Sequence, residues 1–299
     1  MERIFEYQIT AAEEGRKIGD FLREKGYSRH LLRQLKETED GLLRNAQPTF
    51  TTVALKAGDR IRVRLLETVD SDGIIPVSMP LSILYEDECF LAVDKPSGML
   101  VHPSPQKNSG TLANGVLYHL LARGEASGVH PVTRLDRDTF GVVILAKNAN
   151  IHDRFCRMLR ERQLEKTYLA SVFGQPPQAE GQIDLPVYKV GGGSLIRVVD
   201  ARGQQALTRY RVLETAGQTA LLELHPMTGR THQLRLHCMA SGFPILGDPQ
   251  YTGPEAKAYS DAHGLQFQQL CAARLVFPHP MTGERIEICS KQTVFFPKD

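Results

Sequence analysis

The sequence lacks the features that mark secreted proteins, membrane proteins and cysteine-based metal or redox sites. Its five cysteines are widely spaced and include no Cys-x-x-Cys pair, which argues against a zinc or redox motif. Residues 1–6 hold no apolar signal-peptide core, and no stretch reaches the roughly 18 apolar residues that span a membrane. We therefore expect a cytoplasmic protein that keeps its cysteines reduced and makes no membrane contact.

An excess of one charge is also missing, because 36 basic residues are nearly balanced by 34 acidic residues. A surface for nucleic acid must then come from local clusters of lysine and arginine. The glycine-rich residues 191–194 contain neither a Gly-x-Gly-x-x-Gly pattern nor a Gly-Lys-Ser/Thr ending, so they predict a flexible loop tip instead of a phosphate-binding loop. With 299 residues, 41% of them hydrophobic, the chain has room for one large domain or two.

The most informative stretch is a charged loop that leads directly into an apolar run. Residues 142–146 follow Gly141 and are all apolar, which predicts a buried strand. Two arginines and two aspartates stand just before it, namely Arg134, Asp136, Arg137 and Asp138. A carboxylate at the mouth of a buried strand has rigid support, which makes Asp136 a candidate catalytic group. The charge pattern alone favours the alternative, in which both aspartates pair with the arginines at the surface.

Two short helices are predicted over residues 16–36, with a break at Gly26. On the second helix Arg29, Arg33 and Lys36 fall three and four residues apart and form a basic stripe. Such a stripe is suited to RNA phosphates, but a solvated helix face has the same pattern.

A linker, two further helices and a strand are predicted along the rest of the chain. Residues 68–80 mix acidic residues, glycine and two prolines, which is typical of a linker, and we place a domain boundary there. Apolar residues recur at helical spacing over 111–122 and 150–163. The arginines of the second of these helices indicate either an RNA contact or a solvated outer face. Residues 166–174 predict a strand, in which Tyr168 alone would be an ordinary packed aromatic.

Histidine recurs in two patterns. His-Pro-Met-Thr-Gly occurs at 225–229 and again at 279–283, and its proline and glycine positions predict the same kind of tight turn in both places. His225, His232 and His237 are separated by seven and five residues, a spacing that does not place all three on one helical face. We therefore predict no metal site at these histidines.

Four motifs resemble those of the RluA-type RNA pseudouridine synthases. They are Arg-Leu-Asp at 134–136 before the buried strand, Lys-Pro-Ser-Gly at 95–98, Lys-Thr-Tyr at 166–168 and Gly-Arg-Thr-His-Gln-Leu-Arg at 229–235. The last of these is the most specific. Two positions depart from the family pattern, since Thr133 stands where members usually have His and Phe140 where they have Ser.

The resemblance spans roughly residues 80–290 and implies an α+β fold, in which helices and loops flank a large, mostly antiparallel mixed sheet around a central cleft. Residues 14–66 resemble the RNA-binding domain first described in a small-subunit ribosomal protein, which precedes the catalytic domain in many of these enzymes. The implied division is an RNA-binding domain over 1–67, the linker over 68–80 and a catalytic domain over 81–299.

The same resemblance implies roles for individual residues. Asp136, Tyr168 and Arg235 are the implied catalytic residues, and Arg235 is expected to form an ion pair that keeps Asp136 ionised. The residues implied to bind the substrate are Arg134, Arg230 and His232 in the catalytic domain, and Arg29, Arg33 and Lys36 in the N-terminal domain. Lysine and arginine in the N-terminal domain would hold RNA phosphates without reading sequence.

The implied reaction isomerises specific uridines in structured RNA to pseudouridine and needs no cofactor and no metal. The uridine would be flipped out of its stack. Asp136 would then act either as a nucleophile or as the base that removes a ribose proton. Tyr168 would stack on the uracil and help to remove the proton left on the new glycosidic carbon. We expect a monomer that acts on large-subunit ribosomal RNA, with transfer RNA as the alternative substrate.

Two other functions fit parts of the sequence. A glycoside hydrolase would also use an aspartate beside a sugar, but it needs a second acid within about 5–10 Å, and no sequence feature nominates one. A catalytically silent RNA-binding relative would account for the departures at Thr133 and Phe140. Binding alone would not require Asp136, Tyr168 and Arg235 together.

Overall fold

The computed structural model describes residues 2–27, 29–66, 73–104, 107–125, 128–191 and 196–297. Six α-helices lie within these ranges: α1 (Ile18–Glu24), α2 (Arg29–Glu37), α3 (Leu112–Ala122), α4 (Ala149–Arg160), α5 (Gln233–Ala240) and α6 (Pro254–Ala262). None of the helices in these described ranges is long and apolar enough to cross a membrane.

An N-terminal sheet of four antiparallel strands has the order β1 (Glu2–Gln8), β4 (Arg60–Leu66), β2 (Leu42–Arg44) and β3 (Gln47–Pro48). α1 and α2 pack on this sheet, and Leu22 and Leu31 from the two helices share one hydrophobic cluster with Ile61 and Val63 from β4. The chain turns between the helices at Gly26, as predicted, with a φ of 100°. The first 66 residues therefore have a hydrophobic core of their own, while their identity as an RNA-binding domain stays a prediction.

A ten-stranded sheet forms most of the remaining structure. Its order is β10 (Glu180–Asp184), β13 (Leu207–Ala216), β14 (Thr219–Pro226), β9 (Glu165–Phe173), β15 (Leu270–Pro278), β8 (Phe140–Ala146), β6 (Phe90–Lys95) and β5 (Ile83–Glu86), with β16 (Arg285–Cys289) beside β15 and β7 (His130–Pro131) beside β8. β8 and β15 run parallel, and the other pairs of described strands in this sheet are antiparallel. This is the mostly antiparallel mixed sheet that the sequence predicts.

A small hairpin of β11 (Val187–Lys189) and β12 (Arg197–Val199) stands apart from the two larger sheets. Residues 192–195 connect these two strands and lie outside the described residues. The predicted glycine-rich loop falls mostly on them, so its conformation stays a prediction.

The parallel strand pair positions the charged loop. All seven residues of β8 are buried, which confirms the predicted strand. Gly141 at its start has a φ of 109°, and a Cβ there would lie 2.4 Å from the carbonyl oxygen of Ala272 on β15. Only glycine tolerates both this backbone conformation and such a close approach. The loop before Gly141 therefore emerges where β8 and β15 meet.

The second half of the predicted linker is packed against α3. Residues 68–72 lie outside the described residues, whereas residues 73–80 are placed and have no regular secondary structure. Ile74 is buried in the cluster that α3 covers, and Asn114 Nδ2 donates a hydrogen bond to the carbonyl oxygen of Ile75 (2.7 Å). This half is therefore a fixed part of the structure, and the domain boundary itself stays a prediction.

Two arginines of α4 contact other parts of the protein. Arg157 Nη1 donates to the carbonyl oxygen of Glu24 (3.0 Å), and its Nη2 donates to that of Arg23, near the end of α1. Arg154 Nη1 donates to the carbonyl oxygen of Pro280 (3.0 Å). Carbonyl oxygens at the C-terminal end of a helix attract cations. These contacts show that the two arginines do not simply form a solvated face, and Arg157 joins α4 to the N-terminal sheet unit. An RNA contact by the arginines of α4 stays a prediction.

The two copies of His-Pro-Met-Thr-Gly adopt different structures. At 279–283 the amide of Gly283 donates to the carbonyl oxygen of His279 (2.9 Å) and closes a turn. At 225–229 the chain continues from β14 toward α5, and the hydroxyl of Thr228 donates to the first side chain of α5 (2.8 Å). The prediction of one shared turn is wrong, because the neighbouring elements decide the conformation of each copy.

Candidate active site

A buried glutamine at the first position of α5 holds this helix against the sheet. Gln233 Nε2 donates to the carbonyl oxygen of Leu207 (3.0 Å) and to the hydroxyl of Thr208 (3.1 Å) on β13. Its Oε1 accepts hydrogen bonds from Thr228 Oγ1 (2.8 Å) and from the amide of Arg230 (3.0 Å). A buried amide that is satisfied on both sides fixes the loop and the helix together. The side chains of α5 therefore have fixed positions.

Arg235 on α5 joins two aspartates, and its side chain is only 7% exposed. Nε and Nη2 donate to the two carboxylate oxygens of Asp248 at 2.7 and 2.9 Å, and Nη1 donates to Asp136 Oδ2 at 3.2 Å. Burial by itself lowers the pKa of Arg235, but the hydrogen bonds and charges of the two aspartates more than offset burial, so the pKa is raised. A permanently charged guanidinium therefore links the two carboxylates.

Asp136 is the more accessible of the two carboxylates. Its side chain is 27% exposed, whereas that of Asp248 is fully buried. Arg235 binds Oδ2, and no donor among the described residues reaches Oδ1. The amide of Thr139 donates to the carbonyl oxygen of Asp136 (3.2 Å) and closes the loop. The predicted ion pair with Arg235 is confirmed, and it leaves one carboxylate oxygen of Asp136 without a protein partner in the described structure.

Asp248 belongs to this site although its role was not predicted from the sequence. Besides Arg235, its Oδ1 accepts hydrogen bonds from the amides of Gln250 and Tyr251 (2.9 Å each). The preceding Gly247 has a φ of 70° and sits so close to the Phe267 carbonyl oxygen that a Cβ would lie 2.1 Å from it. The Gly-Asp pair was the available signal in the sequence. Its arginine partner could not be read there, because the contact forms only in the folded chain.

Tyr168 lies on β9, and the charge of Asp136 affects the pKa of its phenol. Its ring packs against the hydrophobic cluster that contains Leu135 and Ala272, and its backbone pairs with Ala272 on β15. Burial first, then Asp136 and the thiol of Cys271, raise the pKa of Tyr168 above its ordinary value of 10.0. The phenol is therefore protonated at neutral pH. Its hydroxyl forms no hydrogen bond within the described part of the chain.

The sequence matches a known family across these residues. Residues 89–240 match the family described as RNA pseudouridylate synthase. The chain is 36% identical over 287 residues to the uncharacterized RNA pseudouridine synthase YlyB of Bacillus subtilis, covering 93% of this chain and 92% of that protein. It is 34% identical over 272 residues to the ribosomal large subunit pseudouridine synthase D of Xanthomonas campestris, covering 87% of this chain and 80% of that protein. This chain belongs to the RluA-type RNA pseudouridine synthases.

Solved structures agree with this membership. The human RNA pseudouridylate synthase domain containing 1 matches with a TM-score of 0.59 at 27% identity, covering 71% of this chain and 84% of that chain. The human RNA pseudouridylate synthase domain containing 4 matches with a TM-score of 0.57 at 27% identity, covering 70% of this chain and 88% of that chain. The predicted α+β synthase fold is therefore confirmed.

Lys95 of the synthase, the first residue of the Lys-Pro-Ser-Gly motif, is a second buried cation, for which the sequence predicted no role. Its side chain is fully buried, and Nζ donates to the carbonyl oxygens of Pro96 (2.9 Å), Met99 (2.7 Å) and Arg137 (2.9 Å). Burial lowers the pKa of Lys95 to about 8, against the opposing charges of nearby aspartates. Lys95 therefore ties the loop at 96–99 to the loop that carries Asp136.

His232 of the synthase lies next to Asp136, at the residue before α5. Its backbone is left-handed, with φ 58° and ψ 17°. Nδ1 hydrogen-bonds to Tyr251 Oη (2.9 Å), and Nε2 lies 3.9 Å from Asp136 Oδ2. Burial lowers the pKa of His232, and the charge of Asp136 only partly opposes this. The imidazole is therefore neutral at neutral pH, and its role in substrate binding stays a prediction.

The arginines near the site differ in how strongly other groups hold them. Arg137 forms two hydrogen bonds with Asp138, at 2.8 and 2.9 Å. Arg230 is exposed, and its Nε donates to the carbonyl oxygen of Gln205 (3.3 Å). Arg134 is also exposed and forms neither a hydrogen bond nor an ion pair with any other described residue. Of Arg134 and Arg230, the two predicted substrate-binding arginines near the site, Arg134 is therefore the more available to a ligand.

The predicted basic stripe lies elsewhere in the synthase, on the N-terminal sheet unit. Arg33 and Lys36 are exposed on α2, and Arg33 Nε donates to Glu37 Oε1 (3.1 Å). The side chain of Arg29 lies outside the described residues. The fold therefore does not place this stripe in the site around Asp136.

One group of potential metal ligands occurs in the described part of the synthase. Atoms of Asp87, Cys89 and His279 lie within 4.8 Å of one another. His279 Nε2 is 2.9 Å from Asp87 Oδ2, and its Nδ1 accepts a hydrogen bond from the amide of Thr282 (3.1 Å). Both ring nitrogens are thus in use. The group stands before the start of β6, whose other end carries Lys95, so it is separate from the site around Asp136.

Proposed function

We propose that this synthase isomerises uridines of large-subunit ribosomal RNA to pseudouridine, with Asp136 as the catalytic carboxylate. The observation that carries the proposal is the chain of contacts from Asp136 through Arg235 to Asp248. Asp136 is the partly exposed carboxylate of this chain, and the Arg235 that binds it is held in turn by the buried Asp248. Relatives described as ribosomal large subunit pseudouridine synthases favour that RNA as the substrate. Transfer RNA is the alternative.

The reaction breaks the bond between uracil N1 and ribose C1′, turns the base, and joins uracil C5 to C1′. The proton on C5 then leaves, so that no atom is gained or lost overall. Asp136 acts at bond breakage, either as a nucleophile or as the base that removes a ribose proton. Arg235 supports both routes, because its hydrogen bond to Oδ2 orients the carboxylate and leaves Oδ1 for the substrate.

Tyr168 contributes a stacking surface for the uracil and a route for the C5 proton. Its pKa is raised by burial and by Asp136, so the phenol cannot serve as a free base at neutral pH. It accepts the C5 proton only as it passes its own proton to the Asp136 carboxylate. Tyr168 and Asp136 thus act together in the last step.

RNA reaches this site by base flipping, because no side chain can reach a uridine inside a stacked helix. Arg134 stands two residues from Asp136 and has no protein partner in the described structure, so it is available to a phosphate next to the flipped nucleotide. Arg33 and Lys36, with Arg29 by sequence, hold more distant phosphates of the same RNA. His232 and Arg230 border the bound nucleotide. We propose that the enzyme acts as a monomer in the cytoplasm.

Mapping of pseudouridines in total cellular RNA tests this function. RNA from cells with and without the gene is compared, and the deletion is complemented with wild type, Asp136→Asn or Asp261→Asn. Asp261 on α6 is the matched control, because its carboxylate is 62% exposed and the chemical change is the same. We expect sites in large-subunit ribosomal RNA to be lost, and to be restored by wild type and Asp261→Asn only.

The other outcomes separate the parts of the proposal. A lost site in transfer RNA would keep the reaction and change the substrate. Restoration by Asp136→Asn would remove this residue from catalysis. A complete absence of lost sites, with RNA still bound to the purified protein, would favour the catalytically silent relative.

A further inference from the structure

An exposed aromatic side chain stands beside the site and has no part in the chemistry proposed above. Phe267 lies between α6 and β15, and 39% of it is exposed. Its ring packs on the backbone of Gly98, where an added Cβ would lie 3.7 Å from both Cε1 and Cζ of the ring. A phenylalanine ring has no group that can hydrogen-bond to water. A ring that is packed on one side and exposed on the other is therefore suited to contact an apolar surface.

The chain around Phe267 is tied to two elements of the active site. The carbonyl oxygen of Phe267 packs against Gly247, the residue before Asp248. The next residue, Gln268, is fully buried and donates through Nε2 to Thr139 Oγ1, in the loop that carries the catalytic aspartate. The position of the Phe267 backbone is therefore set by the same elements that position the reacting groups.

The ring of Phe267 contacts a third element of the site, the loop at 96–99. Gly98 belongs to the loop at 96–99, whose carbonyl oxygens Lys95 Nζ binds. Met99 at the end of this loop packs on the same hydrophobic cluster as Tyr168. The loop at 96–99 thus contacts the Phe267 ring and the hydrophobic cluster on which the proposed stacking tyrosine packs.

We propose that Phe267 stacks on an unpaired RNA base next to the flipped uridine. The inference rests on the proposed function, because it needs RNA at this site. Removal of one nucleotide from a stack exposes the faces of its neighbours, and aromatic side chains bind such faces without reading sequence. Phe267 has no polar group, so it contributes affinity and position, while Arg134 contributes charge.

Steady-state kinetics of two substitutions provide the first test. Phe267→Leu keeps an apolar side chain over Gly98 but removes the aromatic face, whereas Phe267→Tyr keeps the face. The substrate is large-subunit ribosomal RNA purified from the deletion strain. We expect Phe267→Leu to raise KM about tenfold with kcat within about twofold of wild type, and Phe267→Tyr to behave like wild type.

Fluorescence provides the second test, because the chain contains no tryptophan. Phe267→Trp creates a protein with a single indole at the proposed stacking position. Tyr118→Trp is the matched control, since Tyr118 is an aromatic residue on α3 with 43% exposure. We expect the same RNA to quench the indole at 267 and to leave the indole at 118 unchanged.

The outcomes distinguish this inference from the proposed function. An unchanged KM for Phe267→Leu, or equal quenching at 267 and 118, with a wild type that forms pseudouridine, would overturn the stacking role and leave the function intact. A wild type that forms no pseudouridine in this RNA would contradict the proposed substrate. In that case the difference in quenching between positions 267 and 118, with the same RNA, still decides whether Phe267 meets its bases.

Discussion

Arg235 and Lys95 are two buried cations of one active site, and they have opposite kinds of partner. Arg235 binds two carboxylates through three of its nitrogen donors. Lys95 binds three backbone carbonyl oxygens and no carboxylate. The pKa of Arg235 is raised, whereas burial lowers that of Lys95 to about 8. The effect of burial on the pKa is therefore outweighed by the carboxylate partners at Arg235, whereas at Lys95 it is not.

The two sets of partners indicate what each cation does for the reaction. A guanidinium is planar and always charged, so Arg235 transmits both charge and direction from Asp248 to Asp136. An ammonium has three donors that point to separate acceptors, so Lys95 joins the loop at 96–99 to the loop that carries Asp136 and binds no carboxylate. We infer that Arg235 orients the Asp136 carboxylate and places a fixed positive charge beside it, and that Lys95 sets the shape of the loops around it.

Removal of Arg235 is expected to have the largest effect. Arg235→Met would leave Asp248 as a buried carboxylate without its cation, which costs about 3–5 kcal/mol of unfolding free energy. Loss of the fixed charge beside Asp136 would lower turnover by about 10²–10³-fold. Urea unfolding and pseudouridine formation measure the two effects separately.

The double variant Arg235→Met with Asp248→Asn is the control for this prediction. It removes the unpaired buried charge, so most of the lost stability should return while activity stays low. An active double variant would show that Asp136 does not depend on Arg235.

Removal of Lys95 is expected to have a smaller effect on stability. Lys95→Met has a similar length and leaves three carbonyl oxygens without a donor but no unpaired charge, so we expect a loss of about 1–3 kcal/mol. Activity should fall because the loops that carry Met99 and Asp136 are no longer joined. A larger loss of stability than that of Arg235→Met, in the same urea series, would reverse the comparison.

The lowered pKa of Lys95 makes the stability of the protein depend on pH. Below about pH 8 Lys95 is charged in both the folded and the unfolded chain; between there and its ordinary pKa of 10.5 only the unfolded chain keeps the proton. Stability rises with pH wherever the unfolded state binds more protons. From pH 7.5 to 9, wild type should therefore gain about 1 kcal/mol relative to Lys95→Met. A constant difference between the two urea midpoints would show that Lys95 does not titrate in this range.

The smallest effect is expected at an exposed cation of the same loop. The Arg137 side chain is 60% exposed and pairs with Asp138, and exposed pairs contribute about 0–1 kcal/mol. Arg137→Ala keeps the backbone carbonyl that Lys95 binds, so thermal unfolding should change little. A loss of stability comparable to that of Lys95→Met would show that the side chain, and not the carbonyl, holds the loop.

The sequence revealed the parts of this site that lie within continuous motifs. Asp136 stands before a strand whose apolar run is unambiguous, and Arg235 lies in the most specific motif of the chain. The role of Asp248 was missed because its partner Arg235 comes from another segment. Lys95 lies in a recognised motif, but its role was missed because it also binds the distant Arg137 carbonyl oxygen. Because every residue has a backbone carbonyl, the sequence does not show which carbonyl oxygen accepts a hydrogen bond.

The same limit applies to the fold. Helices and strands with clear periodicity, such as α3 and β8, were predicted close to their observed bounds. The arginines of α4 were read as surface groups, but Arg157 binds carbonyl oxygens at the end of α1. A helical pattern shows which face is polar, and it does not show which polar residues meet another part of the protein.

A single-turnover assay with purified Asp136→Asn and the RNA identified by mapping shows directly whether Asp136 is the catalytic carboxylate. The substitution keeps the shape of the side chain and removes its charge. We predict that Asp136→Asn binds this RNA within about twofold of wild type and forms no pseudouridine. Conversion at a rate near that of wild type would contradict the assignment of Asp136 as the catalytic carboxylate.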